Sequence, residues 1–352
     1  MKCAWCGMVG DEPHYDTDDC QRDALNVARL ASKAWKARAK FWRYHCLKGH
    51  GPQQVRGEAR AEGKKRRAGA QMNLDTIYTG DNVAVLATFP DACIDLTVTS
   101  PPYDDMDLDF NPIAKGGLRT YNGYSWDFKG LAAQLYRVTK PGGVVVWVVN
   151  DPTINGSESL ASSLQKIYFR RVGWNIHDTM IWNKGGFTAT GDLQYRYAPV
   201  FEYMLILSKG LPKTFNPIKD RKTKNGGATY SGTVRNPDGT MKSMSKSALV
   251  NSLSQRYSIW DMPPQGGEDT DHPAPFPEAL ARDHILSWSN PGDVVLDPFA
   301  GSGTTLKMAK QLDRRYIGIE LSSEYVEKII KPRLAGANVP LAGFAEMLSG
   351  RK

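Results

Sequence analysis

The chain has 352 residues, of which 41% are hydrophobic and 23% charged, a composition typical of a globular protein. No apolar run approaches the roughly 20 residues of a membrane-spanning helix, and no signal peptide is visible, so we expect a cytoplasmic protein without a membrane partner. Lysine and arginine number 45 against 37 acidic residues, and the net charge of +8 favours a polyanionic partner such as nucleic acid.

The first 50 residues differ in composition from the rest of the chain. Four of the five cysteines lie there, an arrangement that does not resemble a secreted disulfide framework. Cys3 and Cys6 have the spacing of half a zinc site, and the site could be completed by Cys20, Cys46, His14, His45 or His50. The alternative is a group of reduced thiols around a basic amphipathic helix. We predict a small helical Cys-rich module with a candidate structural zinc, followed by a flexible basic linker over 51–72.

From residue 73 strands and helices alternate, which predicts a mostly parallel sheet with helices on both faces. The predicted elements, in chain order, are strand 74–81, helix 82–90, strand 93–100, helix 126–139, strand 141–150, helix 160–173, strands 174–184 and 201–209, helix 277–289, strand 293–299, helix 304–312, strand 315–321 and helix 323–331. Residues 336–352 form a predicted C-terminal tail.

Two motifs follow predicted strands. In the first, Ser100-Pro101-Pro102-Tyr103, the two prolines fix φ and remove two backbone donors, so the turn is rigid. The second is "DPFAGSGTT", residues 297–305, in which Gly301 and Gly303 allow the backbone to approach a ligand at a helix N-terminus. Glu320 ends the next strand, where a carboxylate can accept both hydroxyls of a ribose.

Together these motifs resemble those of the amino-group DNA methyltransferases that use S-adenosylmethionine, and the likeness covers residues 73–335. In the β arrangement of that family the catalytic motif precedes the cofactor motif, and the target-recognition region lies between them, as it does here. The resemblance implies an α/β fold, a circularly permuted Rossmann-like methyltransferase with a mostly parallel seven-stranded sheet. The strand ending in Glu320 would be last in sequence, and the strand ending in Asp81 would be first.

The same resemblance implies a cofactor site in which Asp81 meets the adenine amino group. Phe276 stands where the family commonly has a lysine. The implied cofactor-binding residues are Asp81, Asp297, Pro298, Phe299, Gly301, Ser302, Gly303, Thr304, Glu320 and His272.

The chemistry of the first motif can be argued from the residues themselves. An exocyclic base amine is a poor nucleophile because its lone pair is delocalised into the ring. The Ser100 hydroxyl and the Pro101 carbonyl can accept from its two N–H groups and draw the nitrogen toward tetrahedral geometry, while Pro102 fixes that carbonyl. Tyr103 offers a stacking face, worth about 1–3 kcal/mol per base. A base in a duplex is unreachable in its stack, so we expect base flipping.

Within the family, serine before Pro-Pro-Tyr is commoner among cytosine-N4 enzymes, which favours cytosine N4 in DNA as the substrate. Adenine N6 is the alternative, and RNA is a further one. Carbon-5 methylation needs a nucleophilic thiolate, whereas Cys93 lies in a loop before its strand. A non-catalytic DNA-binding protein with a decayed methyltransferase core is the alternative of another class.

Residues 209–258 interrupt the α/β pattern with ten lysines and arginines and few aliphatic residues. We predict that this segment is the target-recognition region that contacts DNA. Asn225, Asn236 and Gln255 are candidate readers of base edges. The candidate phosphate contacts are Lys213, Lys219, Arg221, Lys222, Lys224, Arg235, Lys242 and Arg256.

Overall fold

A computed structural model of the chain describes residues 72–102, 126–154, 156–186, 193–230, 232–243, 248–264 and 277–337. All of these belong to one unit, Ala70–Lys352. The predicted Cys-rich module, nearly all of the linker and most of the C-terminal tail lie outside the described residues. Within those described residues, no helix is long and apolar enough to cross a membrane.

The predicted alternation of strands and helices is found in the structure. The helices are Asn82–Ala87 (α1), Phe128–Val138 (α2), Ala161–Val172 (α3), Glu278–Trp288 (α4), Thr304–Gln311 (α5), Ser323–Tyr325 (α6) and Lys331–Ala335 (α7), with a π-helical turn, Val326–Ile330, between the last two. The strands are Thr76–Thr79 (β1), Ile94–Thr99 (β2), Thr139–Val149 (β3), Thr153–Ile154 (β4), Ser157–Glu158 (β5), Asn175–Asn183 (β6), Phe201–Ser208 (β7), Arg221–Lys222 (β8), Thr229–Tyr230 (β9), Thr233–Arg235 (β10), Met241–Ser243 (β11), Ala248–Leu249 (β12), Leu253–Ser254 (β13), Ile259–Asp261 (β14), Val294–Asp297 (β15) and Arg315–Glu320 (β16).

The central sheet has the strand order β1-β16-β15-β2-β3-β7-β6-β14. Only β7 runs antiparallel to its neighbours. The sheet therefore has eight strands where seven were predicted. The additional strand is β14 at the edge, which pairs in parallel with β6 through Trp260 and Trp182. This strand has three residues, of which only Trp260 is buried. An alternation of apolar and polar residues over so short a segment is not enough to predict a strand.

The first and last strands of the sheet are hydrogen-bonded to each other. Thr79 at the end of β1 lies opposite Glu320 at the end of β16. This pairing confirms the predicted circular permutation, and it brings both strand ends to the same edge of the sheet.

Both faces of the sheet are buried. Along β3, Val145 and Trp147 pack into the cluster formed with α2 and α3, whereas Val144 and Val146 pack into the cluster formed with α4 and α5. This alternation explains the continuous apolar run of β3. Because the helices cover the faces, the carboxyl ends of the parallel strands remain available as a ligand-binding edge.

Within the predicted target-recognition region, 209–258, the described residues between 219 and 256 form a two-stranded antiparallel ribbon, here called the arm. Three ladders make up the ribbon: β8 pairs with β13, β9 with β12, and β10 with β11. No strands were predicted in this segment, because its polar sequence lacks the alternation of a half-buried strand.

Candidate active site

The Ser100-Pro101-Pro102 turn follows β2 at the carboxyl edge of the sheet. Pro101 is buried, and Ser100 and Pro102 are half-buried. Thr99, the last residue of β2, donates its hydroxyl to Asp297 Oδ1 at 2.7 Å. This bond joins the predicted catalytic turn directly to the predicted cofactor motif on the neighbouring strand β15. Tyr103 lies outside the described residues, and its stacking role stays a prediction.

Asp297 is the most deeply buried carboxyl group of the site, with a relative exposure of 1%. Its Oδ1 atom also accepts from the Phe299 backbone N–H at 3.1 Å. Burial raises the pKa of Asp297 to about 7, the negative charge of Glu320 raises it as well, and the hydrogen bonds from Thr99 and Phe299 oppose this rise. Asp297 therefore titrates near neutral pH. Its hydrogen bond with Thr99 connects the ends of β2 and β15.

The glycine loop after β15 depends on two left-handed residues, Gly301 with φ +50° and Gly303 with φ +76°. A Cβ atom on Gly303 would lie 2.8 Å from Ile330 Cγ2, closer than packed carbon atoms approach. Gly301 donates its N–H to Glu320 Oε2 at 2.8 Å. The loop is thus tightly held against the end of β16.

Glu320 and Asp81 meet at the adjacent ends of β16 and β1. Glu320 accepts two hydrogen bonds, one through its side-chain carboxylate from the Ser322 N–H at 3.0 Å and one through its backbone carbonyl from the Gly80 N–H at 2.9 Å. Asp81 caps α1 by accepting from the Ala84 N–H at 2.8 Å. Because each carboxylate oxygen can accept more than one hydrogen bond, both side chains retain capacity for a ligand.

An ion-pair cluster supports the loop from the side of α4 and α7, and sequence reasoning missed it. Arg333 Nη1 donates to Ser302 O at 3.0 Å and to Thr304 Oγ1 at 3.1 Å. Its Nη2 atom donates to Glu278 at 2.6 Å, and Lys307 donates to the same carboxylate oxygen at 2.7 Å. Burial alone would raise the pKa of Glu278, but these two cations lower it below its ordinary value.

Asn82 provides a test of whether the site fits a ligand. Its side chain is 7% exposed, and its amide nitrogen donates to Pro298 O at 3.3 Å. Its Oδ1 atom has no hydrogen-bond partner among the described residues. A buried acceptor without a donor is rare, so this atom fits a ligand that carries an amino group. Nearby Phe299 packs edge-on against Trp126, with ring centroids 5.0 Å apart.

The candidate DNA contacts divide into two groups. Lys219, Lys222, Lys224 and Arg235 are exposed on the arm. Arg221 is also on the arm, where its guanidinium lies 4.3 Å from the centre of the Tyr257 ring.

Two further candidates, Arg256 and Lys213, also contact the core of the fold. Arg256 forms ion pairs with Asp220 and with the buried Asp283, so its charge is compensated within the fold. Lys213 donates its backbone N–H to Gly142 O at 2.9 Å, near the amino-terminal end of β3. Its side chain is exposed, and its contact with a phosphate stays a prediction.

Two ligand predictions concern residues outside the described part. These are His272 as a cofactor contact and the zinc ligands Cys3, Cys6, Cys20 and Cys46. Among the residues that the structure describes, no cluster of three or more metal-ligating side chains occurs.

Cys93 lies just before β2, at the opposite end of that strand from Ser100. Burial raises the pKa of its thiol to about 11, so it is not a thiolate at neutral pH. Cys93 therefore has neither the position nor the ionisation of a carbon-5 methylation nucleophile.

The sequence is similar to those of known DNA methylases. The model of the N6/N4 methyltransferase family, described as DNA methylase, matches residues 94–331. The relative named orphan methyltransferase M.BamHII from Bacillus amyloliquefaciens is 50% identical over 245 residues, which are 67% of this chain and 87% of that protein. The Escherichia coli K12 protein named DNA adenine methyltransferase YhdJ is 28% identical over 260 residues, 72% of this chain and 80% of that protein.

Two solved structures are similar to the chain to different degrees. The cytosine-N4-specific PvuII DNA methyltransferase has a TM-score of 0.52 at 18% identity, covering 79% of this chain and 91% of that one, which supports the same fold. The M1.HpyAVI–SAM complex has a TM-score of 0.46 at 22% identity, covering 74% and 99% respectively.

Proposed function

Because this chain belongs to the N6/N4 family of DNA methylases, we propose that it methylates the N4 amine of cytosine in DNA. The methyl donor is S-adenosylmethionine. The target base would be rotated out of the duplex, since its amine cannot be reached in the stack.

A single observation carries the proposal: the Thr99 hydroxyl donates to Asp297 at 2.7 Å. This bond sets the start of the Ser100-Pro101-Pro102 turn beside the start of the glycine loop. A base held by the turn and a donor held by the loop would then be neighbours at the same edge of the sheet. Proximity of this kind lowers the barrier to transfer.

We assign the donor site to the ends of β1, β15 and β16. When bound, S-adenosylmethionine supplies an electrophilic methyl group on a sulfonium. Glu320 would accept from the ribose hydroxyls and Asp81 from the adenine amino group. Asn82 Oδ1, which has no hydrogen-bond partner in the described part of the chain, offers a second acceptor next to Asp81.

Ser100 and Pro101 would act on the base amine. The Ser100 hydroxyl and the Pro101 carbonyl accept from its two N–H groups, which localises the lone pair on nitrogen for attack. Pro102 holds the Pro101 carbonyl in place, so that the acceptors need little reorganisation during transfer.

The choice of cytosine N4 over adenine N6 as the methylated atom rests on Ser100, the first residue of the motif. The relatives include a protein named an adenine methyltransferase, so the identity of the methylated base is the first thing to measure. Transfer of a tritiated methyl group to duplex DNA, followed by nucleoside analysis, should give N4-methylcytosine. Label on adenine N6 would overturn the choice of base, and label on cytosine carbon 5 would overturn the mechanism.

The variant Ser100→Ala tests the catalytic role. It should retain cofactor and DNA binding but slow single-turnover transfer, on the order of a hundredfold, because one acceptor on the amine is lost. The control is Ser208→Ala, which removes a buried serine hydroxyl at the opposite edge of the sheet. The control should transfer at the wild-type rate. Wild-type transfer by Ser100→Ala would contradict the role of this turn.

A further inference from the structure

Three charged side chains meet where α4 and α5 begin, next to the glycine loop. Glu278, the first residue of α4, accepts from Lys307 of α5 at 2.7 Å and from Arg333 of α7 at 2.6 Å. Their side chains are between 13% and 29% exposed. In the part of the chain that the structure describes, Glu278 is the only carboxylate paired with either cation. Two cations thus share one carboxylate, and the cluster has an excess positive charge.

The two helix ends add to this positive potential. The residues that precede α4 and α5, Pro277 and Gly303, make no side-chain capping bond. The N–H groups in the first turn of a helix carry a partial positive charge, which attracts anions. An excess charge that is partly withdrawn from water is unfavourable unless a partner compensates it. The cluster therefore favours an anionic group as its partner.

The glycine loop connects the cluster to the proposed site of the methyl donor. The loop contacts Glu320 through the N–H of Gly301, and it contacts Arg333 through Ser302 O and Thr304 Oγ1. The carboxylate assigned to the ribose and the charged cluster are thus bound to neighbouring residues of one loop. A ligand that lies along the loop would reach both.

The start of α5 is also bound to the strand that carries the catalytic turn. Thr305, the second residue of α5, donates its hydroxyl to Val98 O of β2 at 3.1 Å. The sulfonium of S-adenosylmethionine carries the adenosine, the methyl group and the amino-acid end. With the adenosine at the ends of β1 and β16 and the methyl group directed toward Ser100 on β2, the amino-acid end is left beside β15, where α5 begins.

The charges of the cluster complement those of the amino-acid end, which has a carboxylate and an ammonium group at neutral pH. Lysine and arginine donate to a carboxylate, whereas an ionised glutamate accepts from an ammonium group. Phe276 stands where the family commonly has a lysine, so this chain lacks a cation just before α4. Lys307 and Arg333 provide positive charge at the same helix end from two other elements.

We propose that Lys307, Arg333 and Glu278 bind the amino-acid end of S-adenosylmethionine, with the two cations facing its carboxylate and Glu278 facing its ammonium group. This inference rests on the proposed function and adds three residues to the donor site. Through Arg333, it also gives α7 a direct part in cofactor binding.

Ligands that lack parts of the amino-acid end test this assignment. Lys307 is the better position to change, because Arg333 also holds the glycine loop. In calorimetric titration, full-length Lys307→Gln should bind S-adenosylmethionine about tenfold more weakly than the wild type, as expected for the loss of one hydrogen bond to a charged group. Decarboxylated S-adenosylmethionine lacks only the carboxylate, and methylthioadenosine lacks the whole amino-acid end. The variant should bind these two ligands no more weakly than the wild type does.

Three controls accompany the titrations. Lys307→Arg keeps the charge and should restore binding of S-adenosylmethionine. Lys328→Gln removes an exposed lysine that is paired with Glu324, and it should bind all three ligands as the wild type does. The wild type itself should prefer S-adenosylmethionine to the decarboxylated ligand by about tenfold or more, a comparison that does not depend on the folding of any variant.

Two results would overturn the proposal. One is equal affinity of the wild type for S-adenosylmethionine and its decarboxylated form. The other is a Lys307→Gln protein that binds S-adenosylmethionine normally or loses affinity equally for all three ligands. An equal loss would mean that Lys307 only shapes the loop.

Methyl transfer to DNA, measured on the same preparations, separates this inference from the proposed function. If the wild type transfers no methyl group and binds none of the three ligands, the proposed function fails. If the wild type binds S-adenosylmethionine and transfers its methyl group, but the affinities do not depend on the carboxylate, the inference about the cluster alone fails.

Discussion

At the scale of single residues, the protonation of Asp297 makes the stability of the folded protein depend on pH. Its carboxyl group takes up a proton below about pH 7 in the folded protein, against an ordinary value of 3.8. The folded state thus binds more protons than the unfolded state between these values. Its contribution to stability is fully present below pH 3.8 and is lost as the pH rises through about 7.

Asp297→Asn should remove this pH dependence. The free energy of unfolding of the wild type should decrease between pH 5 and pH 8 more steeply than that of the variant, by at most ~1.4 kcal/mol per pH unit. Urea unfolding at both pH values measures the difference. Asp313→Asn is the matched control, since Asp313 is exposed and asparagine tolerates its left-handed backbone. Equal slopes for wild type and Asp297→Asn would contradict the elevated pKa.

The sequence places Asp297 in the cofactor motif but does not predict its ionisation. The pKa depends on burial and on Thr99, which is 198 residues away in the chain. Likewise Glu278 forms an ion pair with Arg333, and nothing in the local sequence marks these two residues as partners. Contacts between distant segments decide these properties, and local patterns do not contain them.

At the scale of elements, the glycine loop between β15 and α5 is rigid because its backbone needs left-handed conformations. Gly301→Val should cost roughly 1–3 kcal/mol of backbone strain. It should also displace the loop from Glu320, and so abolish measurable binding of S-adenosylmethionine. Calorimetric titration measures the affinity, and urea unfolding verifies the fold.

Gly292→Val is the control for this loop. Gly292 also has a left-handed backbone, with φ +84°, and it lies near the other end of β15 with open space around it. The control should lose comparable stability and bind the cofactor normally. Unchanged affinity in Gly301→Val, or equal loss in both variants, would remove the loop from the cofactor site.

Elements with a strong periodic pattern were predicted well, and short elements were not. The run of valines in β3 is unmistakable because both of its faces are buried. The strands of the arm have two or three residues each and are largely exposed, so hydrophobicity gives no signal for them. Only the glycine and proline residues and the excess of positive charge mark that region as different.

At the scale of the whole molecule, the excess positive charge should act through specific surfaces. The logarithm of DNA affinity decreases linearly with the logarithm of salt concentration, and the steepness of this decrease counts the phosphate contacts. Replacing Lys222 and Lys224 on the arm with glutamine should make the slope less negative by ~2, since about one counterion is released per phosphate contact. The matched control is Lys328→Gln with Lys331→Gln, two exposed lysines on the π-helical turn and α7.

The control pair should leave that slope unchanged. Equal effects of the two pairs would mean that net charge, rather than the arm, determines DNA affinity. An unchanged slope in the arm variant would place the phosphate contacts on another surface.

The pairing of β1 with β16 determines when a growing chain becomes active. Asp75, just before β1, bonds to Tyr316 of β16, which is 241 residues later. At a synthesis rate of about 5–20 residues per second, β1 waits on the order of tens of seconds for its partner. The nascent chain therefore carries the Ser100 turn long before Glu320 exists to complete the proposed cofactor site. Methylation should thus begin only in chains whose synthesis has passed residue 320.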